Sequence, residues 1–170
     1  KILKKPQTVK AALIGFSTIE DGGNCVSEII STGIVPSGME IMDKALIEAT
    51  DNFCKAGYPR DAETLMIVEL DGTNSEVDEL INKVSDIARK NNSTSIRTSQ
   101  NEKERLAFWA GRKAAFPACG AMAPDYYCMD GTIPRGKLAK VLKEIRKLSK
   151  KYNLPVANAF HAGDGNLHPL

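Results

Sequence analysis

The 170-residue sequence has no apolar run of about 18 residues and no signal peptide, so we expect neither a membrane span nor an export signal within it. Positive and negative charges nearly balance, with 23 Lys and Arg against 21 Asp and Glu, which argues against a nucleic-acid-binding protein. The four cysteines form no Cys-x-x-Cys pair and are too scattered for a zinc pattern. This cysteine usage favours a reducing compartment, and we expect a cytoplasmic protein.

Several catalytic motifs are also missing. The run Gly163-Asp164-Gly165 follows a predicted strand, but it lacks the third glycine of a GxGxxG loop, and no helix follows it in the sequence. The sequence contains no GxxxxGKS or GxxxxGKT, no HExxH and no GxSxG motif. Phosphoryl transfer, zinc-peptidase and serine-hydrolase chemistry therefore have no support.

The apolar pattern predicts strands and helices in strict alternation. Strands are predicted at residues 9–16, 39–43, 64–70, 95–98, 126–130 and 155–160, and helices at residues 19–32, 44–55, 75–90, 101–117 and 135–151. Alternation alone is compatible with a parallel sheet. An α+β, ferredoxin-like fold suits the short strands as well, with an antiparallel sheet and helices packed mainly on one face.

Both histidines of the chain, His161 and His168, flank an Asp-Gly dipeptide. Asp-Gly favours a two-residue β-hairpin turn, and counting outward from it pairs His161 with His168. Both imidazoles would then project from the same face of the hairpin, with Cβ atoms about 5 Å apart. Such a pair supplies two of the three or four ligands of a transition metal, although two hairpin histidines can also be ordinary surface residues.

Two further features each allow two interpretations. Arg112 could clamp a carboxylate through two parallel hydrogen bonds, or it could be a solvated charge near the end of its helix. The predicted helix at residues 135–151 has a strongly basic face. That face is either solvated or docks on an acidic partner or an anionic membrane surface.

Three segments together resemble one family. They are FWAGRKAAFP at residues 108–117, PDYYCMDGTIP at residues 124–134 and FHAGDGNLHP at residues 160–169. In this order they resemble the FAD-linked oxidases of the vanillyl-alcohol-oxidase type. That family includes the flavin subunit of glycolate oxidase and the D-lactate and D-2-hydroxyglutarate dehydrogenases, and the resemblance covers essentially the whole chain.

The resemblance implies that residues 1–170 are most of a C-terminal substrate or cap domain. We therefore expect a piece of a longer protein, with a separate N-terminal FAD-binding domain and a further C-terminal segment. By motif position, the resemblance assigns His161 and His168 to a divalent metal such as zinc, manganese or iron. It assigns Arg112 to the substrate carboxylate, and it puts a third metal ligand, a glutamate, beyond Leu170.

The implied activity is oxidation of a small 2-hydroxy acid by hydride transfer to flavin. Where the D-2-hydroxyglutarate enzymes have a lysine, this chain has Cys128 or a neighbour, so a monocarboxylate such as glycolate or D-lactate fits better. The resemblance also implies a sister flavin subunit and an iron–sulfur subunit at the inner face of the membrane as partners. The competing hypothesis is a ferredoxin-like ligand-binding or subunit-docking module, in which His161, His168 and Arg112 need not converge.

Overall fold

The computed structural model describes residues 5–170 and contains one seven-stranded sheet whose paired strands are all antiparallel. The strands are β1 (Thr8–Phe16), β2 (Gly38–Asp43), β3 (Thr64–Gly72), β4 (Ser93–Thr98), β5 (Gly131–Thr132), β6 (Asn158–His161) and β7 (Asn166–Pro169). The helices are α1 (Ile19–Ser31), α2 (Lys44–Cys54), α3 (Asn74–Lys90), α4 (Glu102–Lys113), α5 (Ala115–Gly120) and α6 (Leu138–Tyr152). The predicted α+β class with an antiparallel sheet is confirmed.

Side-chain caps explain where four of these helices begin. Thr18, Asp43, Thr73 and Asn101 each accept a hydrogen bond from a backbone N–H in the first turn of the following helix. These bonds satisfy donors that have no partner inside the helix. At α4 the sequence pattern of Asn101 followed by Glu104 correctly predicts the cap, since the Glu104 N–H donates to the Asn101 side chain at 3.0 Å.

The strand order is β4-β1-β3-β2-β6-β7-β5. Its first four strands have the order of a ferredoxin-like unit, with α1 connecting β1 to β2 and α3 connecting β3 to β4. The hairpin of β6 and β7 then adds to the free edge of β2. This extension places both histidine-bearing strands beside the middle of the sheet.

The sheet is covered on both faces. The three longest helices, α1, α3 and α6, pack on one face over a large apolar cluster that includes Phe16 and Phe160. The shorter α2, α4 and α5 pack on the other face over a smaller cluster that includes Leu13 and Leu65. Helix mass is thus greater on one face, as expected, but the opposite face also has a helical layer, and that layer carries Arg112.

One predicted strand is wrong. Residues 126–130 form no strand, and only Gly131–Thr132 pairs with β7. The pattern there is rich in tyrosine, which favours strands, but residues 126–130 form no ladder with β7 and Tyr127 is 81% exposed. The segment nevertheless stays close to β7, because the Met129 N–H donates to the Pro169 carbonyl at 2.9 Å.

The predicted basic helix begins with a short 3₁₀ turn at Arg135–Lys137 and continues as α6. Its basic face is largely exposed and pairs with carboxylates of α1 and of the loop before β3. Lys143 contacts Glu20 and Arg146 contacts Glu63, each at 2.9 Å. Within residues 5–170, no helix is both long and apolar enough to cross a bilayer.

Candidate active site

The two histidines lie on neighbouring strands, but in a different register from the predicted one. His161 pairs with Asn166, and His168 pairs with Ala159, so the predicted pairing of His161 with His168 is wrong. The register differs by two residues because the turn contains four residues, 162–165, instead of two. Side chains alternate with a period of two, so this shift keeps both imidazoles on one face. Their ring centroids are 5.1 Å apart, with the rings nearly perpendicular.

The longer turn has a clear cause in the backbone. The N–H groups of Asp164 and Gly165 both donate to the His161 carbonyl, at 3.2 and 3.0 Å. The Asp164 carboxylate accepts the Asn166 N–H at 2.9 Å, so this side chain closes the turn. Gly165 has a φ of 83°, and a Cβ at this position would overlap the Ile133 carbonyl oxygen. A glycine is therefore required there for two reasons.

Each imidazole has its Nδ1 atom beside a carboxylate. His161 Nδ1 lies 2.7 Å from Glu40 Oε1, and His168 Nδ1 lies 3.2 Å from Asp130 Oδ1. The two carboxylates differ in environment, since the Glu40 side chain is 10% exposed and that of Asp130 is 73% exposed. A carboxylate at Nδ1 favours the tautomer with the proton on Nδ1, which leaves Nε2 as a ligand atom.

Arg112 is also part of this cluster. Its Nε–H donates to Glu40 Oε2 at 2.9 Å, and its side chain is only 11% exposed. Its backbone N–H donates to the Tyr58 hydroxyl, which in turn donates to the Phe108 carbonyl at 2.6 Å. The interpretation of Arg112 as a solvated charge at the end of a helix is therefore wrong, because Arg112 is held at both backbone and side chain.

Gly111 makes this anchorage sterically feasible. A Cβ on Gly111 would overlap the ring of Tyr58, so only glycine allows α4 to approach Tyr58 this closely. Burial raises the pKa of the Tyr58 hydroxyl, which stays protonated and can donate to the Phe108 carbonyl.

Glu40 is the residue that sequence reasoning missed. One buried carboxylate bridges Arg112 and His161, which are distant in the sequence. We call Glu40, Arg112 and His161 the Glu40 centre. A signal was present in the sequence, because Glu40 lies between two apolar residues inside strand β2, and a buried carboxylate needs partners.

A second buried acid on the same face gives a useful comparison. Glu69 of β3 pairs across the ladder with Gly38, two residues from Glu40. Its Oε2 accepts Nη1–H of Arg105 at 2.5 Å and the indole N–H of Trp109 at 2.7 Å. We call Glu69, Arg105 and Trp109 the Glu69 centre.

The donor atoms of the histidines are compatible with a metal ion but do not form a complete site. Among residues 5–170, no group of three or more His, Cys, Asp or Glu side chains is arranged to hold one. His161 and His168 supply two nitrogen ligands, and each has a carboxylate at its Nδ1 atom. An open groove of about 500 Å³ lies beside Glu40 and His161, which is ample for a small organic acid.

Comparison with known families identifies the class of protein to which this chain belongs. Residues 5–170 match the family "FAD linked oxidases, C-terminal domain". The chain therefore belongs to this family, and the resemblance based on the three motifs is confirmed.

Curated relatives narrow the comparison. The chain is 52% identical over 170 residues to the glycolate oxidase subunit GlcD of Escherichia coli (strain K12), which covers 100% of this chain and 34% of the relative. It is 31% identical over 170 residues to the mitochondrial D-lactate dehydrogenase (cytochrome) of Arabidopsis thaliana, covering 99% of this chain and 30% of the relative. The chain thus spans about a third of the length of these relatives.

A solved structure, p-cresol methylhydroxylase with substrate bound, superposes with a TM-score of 0.71. The alignment covers 99% of this chain and 39% of that chain, at 14% sequence identity. At this level of identity the likeness shows a shared fold and nothing about the substrate.

Proposed function

We propose that this chain is the substrate-binding cap domain of an FAD-dependent 2-hydroxyacid oxidoreductase. The enzyme would oxidise glycolate to glyoxylate or D-lactate to pyruvate. The observation that carries the proposal is the convergence of Arg112, His161 and His168 on one face of the sheet, around the buried carboxylate of Glu40. The 52% identity to a glycolate oxidase subunit supports glycolate, and the D-lactate dehydrogenase relative supports D-lactate.

Arg112 is the group that binds the substrate carboxylate. Its Nε atom is occupied by Glu40, and among residues 5–170 no hydrogen bond reaches its Nη1 or Nη2 atom. These two nitrogens can donate in parallel to the two oxygens of a carboxylate. This clamp orients the substrate and fixes the position of its 2-hydroxyl group.

His161 and His168 would hold a divalent metal such as zinc, manganese or iron through their Nε2 atoms. Such an ion lowers the pKa of the substrate hydroxyl when bound, and FAD in the rest of the protein supplies the hydride acceptor. The resemblance implies a glutamate as a further ligand of this metal. Arg112 and the two histidines lie on one side of the sheet, so a carboxylate and the neighbouring hydroxyl can be bound together. A 2-hydroxy acid carries these two groups on adjacent carbon atoms.

The partners belong to the same proposal. A cytoplasmic enzyme of this kind passes its electrons onward, and we propose a sister flavin subunit and an iron–sulfur subunit at the inner face of the membrane. The exposed basic face of α6 can support at most peripheral contact with anionic lipid.

The test uses the full-length protein that carries this chain. Its flavin spectrum is recorded, and reduction of an electron-accepting dye is measured with glycolate and with D-lactate. Each assay is repeated after chelation and after restoring zinc, manganese or iron separately. We expect activity with one of the two acids, loss on chelation and recovery with one metal.

Two variants separate the proposal from its rival. His161→Ala and His168→Ala are expected to lower activity by at least about 100-fold, because each removes a metal ligand. Unchanged activity in His161→Ala would contradict the metal role. A full-length protein that oxidises neither acid would favour the ferredoxin-like docking module.

A further inference from the structure

Glu40 accepts two hydrogen bonds that point in different directions. Its Oε2 accepts Nε–H of Arg112 at 2.9 Å, and its Oε1 lies 2.7 Å from Nδ1 of His161. The strands fix this arrangement, because Glu40 of β2 is the direct cross-strand neighbour of His161 of β6. The carboxylate is 10% exposed, so water competes little for it.

Both partners of Glu40 keep free polar atoms. Only Nε of Arg112 is used, and among the described residues nothing hydrogen-bonds to its two Nη groups. His161 uses Nδ1, and its side chain is 44% exposed. The Glu40 carboxylate therefore orients two groups. One is the pair of Nη groups of Arg112 that can bind a substrate carboxylate, and the other is the Nε2 atom of His161.

We propose that Glu40 is a positioning residue that couples the carboxylate-binding Arg112 to the hydroxyl-side His161. The proposal rests on the proposed function and names a residue through which that site is assembled. Glu40 acts through these two partners. It keeps the proton of His161 on Nδ1, which leaves the Nε2 lone pair for a ligand, and it holds the guanidinium plane of Arg112.

Glutamine at position 40 is the informative change because it keeps the shape and removes one acceptor. An amide has one oxygen and one NH₂ group, so it cannot accept from Arg112 Nε–H and His161 Nδ1–H together. If the NH₂ group faces His161, the imidazole proton moves to Nε2 and the lone pair there is lost. If it faces Arg112, two donors oppose each other and the guanidinium is displaced.

Glu69→Gln is the matched control. Glu69 is also a mostly buried carboxylate on the same face, and it also accepts from an arginine and an aromatic ring N–H. It contacts neither Arg112 nor His161 through a hydrogen bond. Both of these donors share Oε2, so the amide oxygen of Glu69→Gln can still accept both, and this variant shows the effect of losing a buried charge without losing an acceptor.

The experiment uses the full-length flavoprotein with Glu40→Gln, Glu40→Asp and Glu69→Gln. Zinc affinity is measured by competition with a chromophoric chelator without substrate, and KM and kcat are measured for the preferred acid. For Glu40→Gln we expect zinc affinity to fall about 10- to 100-fold and KM to rise. Glu40→Asp keeps two acceptor oxygens and should lie closer to wild type, while Glu69→Gln should leave both quantities unchanged.

A double variant tests the route through His161. In a His161→Ala background, Glu40→Gln should cause no further loss of zinc affinity, because its partner is already gone. Additive losses would overturn the coupling. If His161→Ala loses zinc while Glu40→Gln keeps wild-type affinity and KM, the role of Glu40 is wrong and the proposed function stands. A wild-type protein that neither binds zinc nor oxidises either acid would overturn both.

Discussion

The Glu40 centre and the Glu69 centre are built alike but differ in what they leave free. In each, a carboxylate on a central strand accepts from an arginine of α4 and from an aromatic ring nitrogen. Arg105 uses its remaining nitrogens on Glu102, at 2.7 and 2.6 Å, and the single indole N–H of Trp109 is occupied. Each donor nitrogen of the Glu69 centre therefore has a partner, and in this sense the centre is saturated.

The Glu40 centre is not saturated within the described residues. Arg112 uses one of its three nitrogens and His161 uses one of two, and both lie near the edge where the histidine hairpin joins the sheet. The comparison teaches that burial and pairing alone do not mark a site. Side-chain nitrogen atoms that remain without a partner are the better sign of a site, because a ligand can bind to them.

The largest expected effect separates the two arginines. Arg112→Lys keeps the charge but loses the fork that serves Glu40 and a carboxylate at once. We expect kcat/KM of the full-length enzyme to fall about 10²- to 10³-fold, which corresponds to roughly 3–4 kcal/mol. Steady-state kinetics with glycolate and D-lactate measure this.

Arg105→Lys is the control for that change. It disturbs the saturated centre, and we expect a lower melting temperature with kcat/KM within about threefold of wild type. Equal kinetic losses in the two variants would mean that the distinction between the centres is wrong.

The next effect concerns the support beneath Arg112. Gly111→Ala places a methyl group into the Tyr58 ring, and we expect about 2–3 kcal/mol of lost stability together with a raised KM. Gly136→Ala is the control, because a Cβ there meets nothing within 4 Å and φ is not positive. Thermal unfolding of the full-length protein compares them, and a stable Gly111→Ala variant would show that α4 can move away from Tyr58.

The sequence predicts most of the fold because most of it is locally encoded. Caps such as Asn101 and the continuous apolar run of β3 each follow from neighbouring residues. The pairing of β6 with β2 does not, because it joins residues more than a hundred positions apart. The strand predicted at residues 126–130 is wrong for the same reason. A strand needs a ladder of hydrogen bonds to a partner, and the local pattern does not show whether that ladder forms.

The site, too, has one part that the sequence predicts and one part that it does not. His161 and His168 are predicted to share a face, and they do, because the face depends only on whether the register shift is even or odd. The link between Arg112 and His161 could not be predicted, because it runs through Glu40 on a third element. An acid between apolar residues of a strand signals that a partner exists but does not identify it.

A smaller effect is expected within the Glu69 centre. Trp109→Phe removes the indole donor to Glu69 while Arg105 still neutralises the carboxylate. We expect a loss of about 1–2 kcal/mol in stability, measured by thermal unfolding, with zinc affinity and KM unchanged. A change in KM would reveal that the two centres are coupled along α4, which carries both Trp109 and Arg112.

The smallest effect compares the two carboxylates that face the histidines. Asp130 lies 3.2 Å from His168 Nδ1 but is 73% exposed, so solvent weakens its hold on the ring. Asp130→Asn should therefore lower zinc affinity less than about fivefold, whereas Glu40→Gln lowers it tenfold or more. Chelator competition on both variants measures the ratio. If Asp130→Asn proves as damaging as Glu40→Gln, the exposed segment at residues 124–130 is shielded in the full-length protein, and the two histidines are held equally firmly.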